Sequence, residues 1–157
     1  MIAKLYLVED SKSLIEQAHA AFQGGGYVVV EVDLQKANTS KYWRGVRIKP
    51  HDLIILDLNL EESGLRYSGL DVLKLFEYEK NQQRTLRGLE QVLVATSVRH
   101  QVDPEYVFPE IALAIGFTIY GLEKGVDPVT DKVTNYGKSL RDMVERIYAH
   151  QAIPLNE

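Results

Sequence analysis

The sequence predicts an α/β fold, a five-stranded parallel sheet covered by helices on both faces. Three observations lead there. Short apolar runs alternate with helix-patterned stretches along the whole 157 residues. The run from Leu53 to Leu58, within HDLIILDLNL, is apolar at consecutive positions, which requires cover on both of its faces. Glycine, proline and short polar clusters separate the runs, as they do where a chain turns between elements.

Taken in order, Ala3 to Val8 form the first strand, followed by Glu9, Asp10 and Ser11. Ser11 is suited to cap a helix running to about Phe22, with Leu14, Ala18, Ala21 and Phe22 on one face. Gly24, Gly25 and Gly26 stop that helix. They follow a helix, whereas a phosphate-binding loop lies between a strand and the next helix, so they read as a turn. Tyr27 to Val32, rich in β-branched residues, is the second strand. A short helix from Thr39 or Ser40 to Val46 follows, with Trp43 packing at its base. The third strand is Leu53 to Leu58, with Asp57 near its end.

Asn59 to Ser68 make a long strand-to-helix connection carrying Glu61, Glu62 and Arg66. It reads either as a solvated surface insertion or as a lid or partner-contact loop. Ser68 caps a helix that turns Leu70, Leu73 and Phe76 inward. Gln91 to Thr96 are the fourth strand, ending in Thr96 and Ser97. Asp103 and Pro104 open a fourth helix, although Pro109 limits its regularity. Phe117 to Tyr120 form a short fifth strand. The last helix runs from about Asp131 to Ala149, leaving a C-terminal tail. One domain over residues 1–150 and a tail at 151–157 are therefore expected.

Composition narrows the function classes. The chain has no cysteine, which excludes disulfides and thiolate metal sites. The start MIAKLYLVED lacks the features of a secretory leader, and no apolar run approaches the roughly 18 residues needed to span a bilayer. A cytoplasmic protein with no membrane segment is expected. A net charge of -4 with dispersed basic residues offers no footprint for nucleic acid. His19, His51, His100 and His150 share no ligand spacing.

With right-handed crossovers and the flavodoxin-like strand order 2-1-3-4-5, the first and third strands are neighbours. Glu9, Asp10 and Asp57 then converge at the carboxyl edge of the sheet, where ligands bind in folds of this kind. Two carboxylates ~4 Å apart repel by roughly 4 kcal/mol at an effective dielectric near 20, so such a cluster calls for a cation or a raised pKa. Mg²⁺, which takes oxygen ligands, suits it. A carboxylate beside such an ion can attack phosphorus, and Thr96 at the neighbouring strand end can bond the phosphoryl group. The alternative is that Glu9 and Asp10 begin a loop and cap a helix.

The acidic pair after LYLV, the Asp in LIILDLNL, the following SGLDVLKLF and the Thr closing VLVATS resemble the receiver domains of bacterial two-component response regulators. The resemblance covers about Lys4 to Ala149. It implies that Glu9, Asp10 and Asp57 hold Mg²⁺, with the Asn59 backbone carbonyl as a further ligand. It implies that Asp57 accepts phosphate from a sensor histidine kinase or phosphotransfer protein and that Thr96 contacts the phosphoryl group. Ser97 falls at the small-residue position beside it. It further implies a single-domain module that signals to a protein partner through its fourth helix, fifth strand and last helix. Catalysis would be limited to phosphotransfer and dephosphorylation at Asp57.

The pattern breaks at the lysine that such domains carry at the end of strand five. Ungapped alignment from Gly116 puts Tyr120 there and Phe117 at an aromatic switch position, and a strand-end register leaves little slack. The other reading carries Lys124, four residues later, back to the site. Were the lysine absent, a phenol could not supply its charge at neutral pH. Two alternatives stand beside the phosphoryl-accepting module. One is a phosphorylation-independent pseudo-receiver, an interaction or scaffold domain. The other is a small phosphohydrolase, for which Asp57-Leu58-Asn59 lacks a general acid.

Overall fold

A computed structural model describes residues 2–60 and 64–156. Glu61 and Glu62, expected beside the site, lie outside the described residues. Five strands, β1 (Ala3–Val8), β2 (Tyr27–Glu31), β3 (Leu53–Asp57), β4 (Gln91–Thr96) and β5 (Thr118–Glu123), form one sheet. All pairings are parallel and the order is β2-β1-β3-β4-β5, as the sequence predicts. The helices are α1 (Lys12–Ala21), α2 (Ser40–Arg44), α3 (Gly69–Asn81), α4 (Pro109–Ala112) and α5 (Tyr136–Tyr148).

The consecutive apolar residues of the central strands divide between two cores. Tyr6, Val8, Ile54 and Leu56 point toward α2 and α3, where Trp43 and Phe76 are fully buried. Leu5, Leu7, Leu53 and Ile55 point the other way, onto Ala18 of α1 and Leu140, Val144 and Ile147 of α5. This two-sided burial explains why the third strand shows no polar alternation. Local caps fall where side-chain chemistry places them. The Ser11 hydroxyl accepts from Leu14 N–H, and Ser68 and Asp71 form a reciprocal capping box at the start of α3.

Three expectations are corrected. The helix foreseen from Asp103-Pro104 is replaced by a turn, because the Asp103 carboxylate accepts the Glu105 N–H. A single 3-10 turn at Arg99–Gln101 precedes it, and α4 begins at Pro109, whose ring suits the first helical position. α5 begins at Tyr136, not near Asp131, because Asn135 caps it by accepting the Lys138 N–H at 2.8 Å. β5 runs three residues beyond Tyr120 and closes at Glu123.

The segment read as a tail is docked. Leu155 N–H donates to Ile119 C=O at 2.7 Å, and the buried Asn156 side chain accepts from Ile119 N–H while donating to Ala114 and Phe117 carbonyls. The edge of β5 is thereby paired in its first half, as exposed sheet edges usually must be. No described helix is long and apolar enough to cross a membrane.

Candidate phosphoacceptor and metal site

The site lies at the carboxyl edge of β1, β3, β4 and β5. Val8 pairs with Leu56 and Asp57 with Ala95, so the residues that end these strands converge. Carboxylate oxygens of Glu9, Asp10 and Asp57 lie within 4.8 Å of one another. Glu9 and Asp57 are each only 3% exposed, while Asp10 at the rim is half-buried. Three closely grouped carboxylates, with no sulfur or imidazole among them, are a donor set for a hard divalent cation. They fit the metal that the sequence reading implies.

The first cation on these carboxylates is the protein's own. Lys124 Nζ stands 2.6 Å from Glu9 Oε1 and 3.1 Å from Asp57 Oδ1. Its position follows from the register of β5. Thr96 pairs with Glu123, and Lys124 N–H donates to Thr96 C=O at 2.8 Å, so Lys124 is the first residue past the strand end. Tyr120 pairs with Leu93 in the middle of the strand and packs toward the core shared with α1 and α5. The placement of Tyr120 at the strand end is therefore overturned in favour of Lys124. The physical reason is that β5 continues through Gly121, Leu122 and Glu123: Gly121 interrupts its apolar run, which resumes at the buried Leu122.

The correction carries to Phe117. The spacing that selected it, three residues before the lysine position, now selects Gly121, which has no ring to reorient. Phe117 precedes β5 and is buried in the core, its carbonyl held by Asn156. A Cβ on Gly121 would stand 2.6 Å from Leu155 Cδ1 and 2.8 Å from Val102 Cβ, so the missing side chain makes room for the docked segment.

Burial pushes the Asp57 carboxyl up to about 7; Lys124 pulls it down, and Glu9 opposes that pull. Asp57 Oδ1 accepts the Asn59 N–H at 3.0 Å, which favours the ionised form. Glu9 Oε2 accepts the N–H groups of Asp10 and Ser11 at 3.0 and 3.2 Å, orienting its other oxygen toward Lys124. Gly69 packs the start of α3 against the end of β3. A Cβ there would stand 2.2 Å from the Asp57 carbonyl oxygen, so only glycine permits this approach.

Thr96 is fully buried at the adjacent strand end, while Ser97 beside it is exposed. Two nearby residues carried no sequence signal. Gln101 bonds Thr96 and Asn59. Tyr136 is 3% exposed, and the Lys124 ammonium lies 5.7 Å from its ring centroid, within cation–π range. The Tyr136 hydroxyl has no hydrogen-bond partner among the described residues, and burial together with Glu9 and Asp57 pushes its pKa well up.

The whole fold is shared with solved response regulators. The phosphorylated cyanobacterial phytochrome response regulator RcpA superposes with a TM-score of 0.58 at 22% identity, covering 98% of this chain and 99% of its own. This is the receiver fold. Chemotaxis response regulator CheY4 of Vibrio cholerae matches at a TM-score of 0.55 and 22% identity over 94% of this chain and 99% of its own. The Mn²⁺-bound form of response regulator Rcp1 matches at 0.54 and 18% over 97% and 98%. No family model matches the sequence, and no curated protein sequence matches it. Within the receiver fold, the cluster around Asp57 occupies the carboxyl edge at which the sequence placed it.

Proposed function

We propose that the chain is a response-regulator receiver that accepts a phosphoryl group on Asp57 from the phosphohistidine of a sensor kinase or phosphotransfer protein. The observation that carries this reading is the meeting of Glu9, Asp10, Asp57, Thr96 and Lys124 at one sheet edge of a receiver fold. In it, one Asp57 carboxylate oxygen forms a bond to phosphorus as the donor nitrogen leaves, giving an acyl phosphate.

Glu9, Asp10, Asp57 and the Asn59 carbonyl would hold Mg²⁺, which when bound offsets charge on the transferring group. Lys124 supplies a fixed positive charge beside the acceptor, and the Thr96 hydroxyl is the donor for a phosphoryl oxygen. Ionised Asp57 is the nucleophile, so the ammonium 3.1 Å away serves the reaction by favouring that form against burial. Output passes by protein contacts through the face of α4, β5 and α5, in the cytoplasm and without nucleic acid. Catalysis is confined to gain and loss of phosphate at Asp57.

The test is incubation with Mg²⁺ and acetyl phosphate, followed by intact mass. One phosphoryl adduct, absent from Asp57→Asn, is the expected result. No adduct and no response to beryllofluoride would replace this reading with the phosphorylation-independent scaffold.

A further inference from the structure

The hydroxyl that the proposed function assigns to the phosphoryl group is already fully engaged. Thr96 Oγ1 accepts Val98 N–H at 3.1 Å and Asn59 Nδ2 at 2.8 Å, and it donates its one proton to Gln101 Oε1. A hydroxyl has one proton and two acceptor sites, so none is spare. Gln101 Oε1 also accepts the other Asn59 amide proton at 3.0 Å, closing a three-membered ring of side chains. Asn59 in turn donates its backbone N–H to Asp57 Oδ1. The acceptor is therefore linked through Asn59 to Thr96 and Gln101.

Thr96 can donate to a phosphoryl oxygen only by withdrawing its proton from Gln101. We propose that Gln101 is a positioning residue that holds Thr96 in the resting state and sets the free-energy cost of engaging the phosphoryl group. This inference rests on the proposed phosphoacceptor reading. Gln101 closes the 3-10 turn Arg99–Gln101, whose Arg99 guanidinium pairs with Asp131 at 3.2 Å and approaches Glu123 at 3.9 Å. The next residue, Val102, fills the space beside Gly121. Release of Thr96 thus acts on a turn that touches both β5 and the loop before α5. Phosphate on Asp57 that draws Thr96 away from Gln101 releases one anchor of a turn held at its other end by ion pairs.

The experiment measures beryllofluoride affinity in the presence of Mg²⁺ by Trp43 fluorescence and NMR titration, in the wild-type chain, Gln101→Leu, Thr96→Val and the double variant. Removing the competing acceptor raises affinity about five-fold, the equivalent of one ordinary hydrogen bond. In the Thr96→Val background, Gln101→Leu changes nothing. Without beryllofluoride, a protected Thr96 hydroxyl proton is seen in the wild type, is retained in Gln101→Glu, which keeps the acceptor oxygen, and is lost in Gln101→Leu. A purely structural role for Gln101 would lower thermal stability without this Thr96-dependent gain.

Unchanged or weakened affinity in a folded Gln101→Leu overturns the proposal while leaving the phosphoacceptor reading intact. An equal gain in the Thr96→Val background also overturns it, as does an unprotected Thr96 hydroxyl proton in the wild type. Absence of any beryllofluoride binding by the wild type removes the phosphoacceptor reading itself, and Gln101's proposed role with it.

Discussion

Replacing Lys124 by methionine, which keeps the length of the side chain and removes its charge, leaves Glu9 and Asp57 as two buried carboxylates without their shared ammonium. In the wild type that ammonium stands 2.6 Å from Glu9 and 3.1 Å from Asp57, and both acidic residues are only 3% exposed. Removing one partner of a buried ion pair costs about 3–5 kcal/mol when the other stays charged. Asp57 escapes that cost by holding a proton. Its carboxyl is already at about 7 with Lys124 present, and loses the group that pulls it down when Lys124 is removed.

The sign follows from proton uptake. Between the unfolded carboxyl pKa near 3.9 and the raised folded value, the folded state binds more protons, so stability falls as pH rises. In the wild type that fall ends near pH 7. In Lys124→Met it continues above pH 7 at up to ~1.4 kcal/mol per unit. The variant is therefore destabilised by about 3–5 kcal/mol at alkaline pH and by less than half as much in mildly acid buffer. Urea unfolding followed by the fluorescence of Trp43, the only tryptophan and fully buried, measures this directly. Mg²⁺ should stabilise the variant more than the wild type, because no ammonium competes for the two carboxylates. Equal stability of the two proteins across this pH range, or an equal response to Mg²⁺, would refute the electrostatic account of the site.

Three further outcomes follow from the same geometry. Tyr120→Lys should leave adduct formation unchanged while lowering stability by roughly 1–3 kcal/mol, because four strand residues put position 120 about 13 Å from Lys124; a faster adduct would return position 120 to the site. Tyr136→Phe removes the unpartnered hydroxyl and keeps the ring beside Lys124, so urea unfolding should show a gain of about 1 kcal/mol, whereas a loss would mean that the hydroxyl has a partner in solution. Asn156→Ala leaves the buried Ile119 N–H without its acceptor. A loss of about 2–3 kcal/mol is expected, and no loss would show that the docked C-terminal segment contributes nothing to the fold.

The sequence carried the central strands, their order and most of the acidic site, because residues covered on both faces leave unbroken apolar runs whose ends are easily marked. Asp57, Glu9 and Thr96 each close or follow such a run. Lys124 is hard to place for the opposite reason. β5 is an edge strand with partly exposed positions, and Gly121 interrupts its apolar run, so the buried Leu122 and the closing Glu123 do not read as part of the same strand. The start of α5 is equally hard to place, because the loop from Gly125 to Thr134 carries its own turns and only the Asn135 cap marks the helix. Gln101 and Tyr136 were not legible at all. Their contacts with Thr96 and Lys124 join residues brought together by the fold, and no spacing along the chain announces them.

The most direct measurement of the central claim is the intact mass of the wild-type chain and of Asp57→Asn after exposure to acetyl phosphate and Mg²⁺. A single phosphoryl adduct on the wild type, dependent on Mg²⁺ and missing from Asp57→Asn, is the predicted result. A wild-type chain that stays unmodified, or an adduct that persists in Asp57→Asn, would contradict the assignment of Asp57 as the phosphoacceptor.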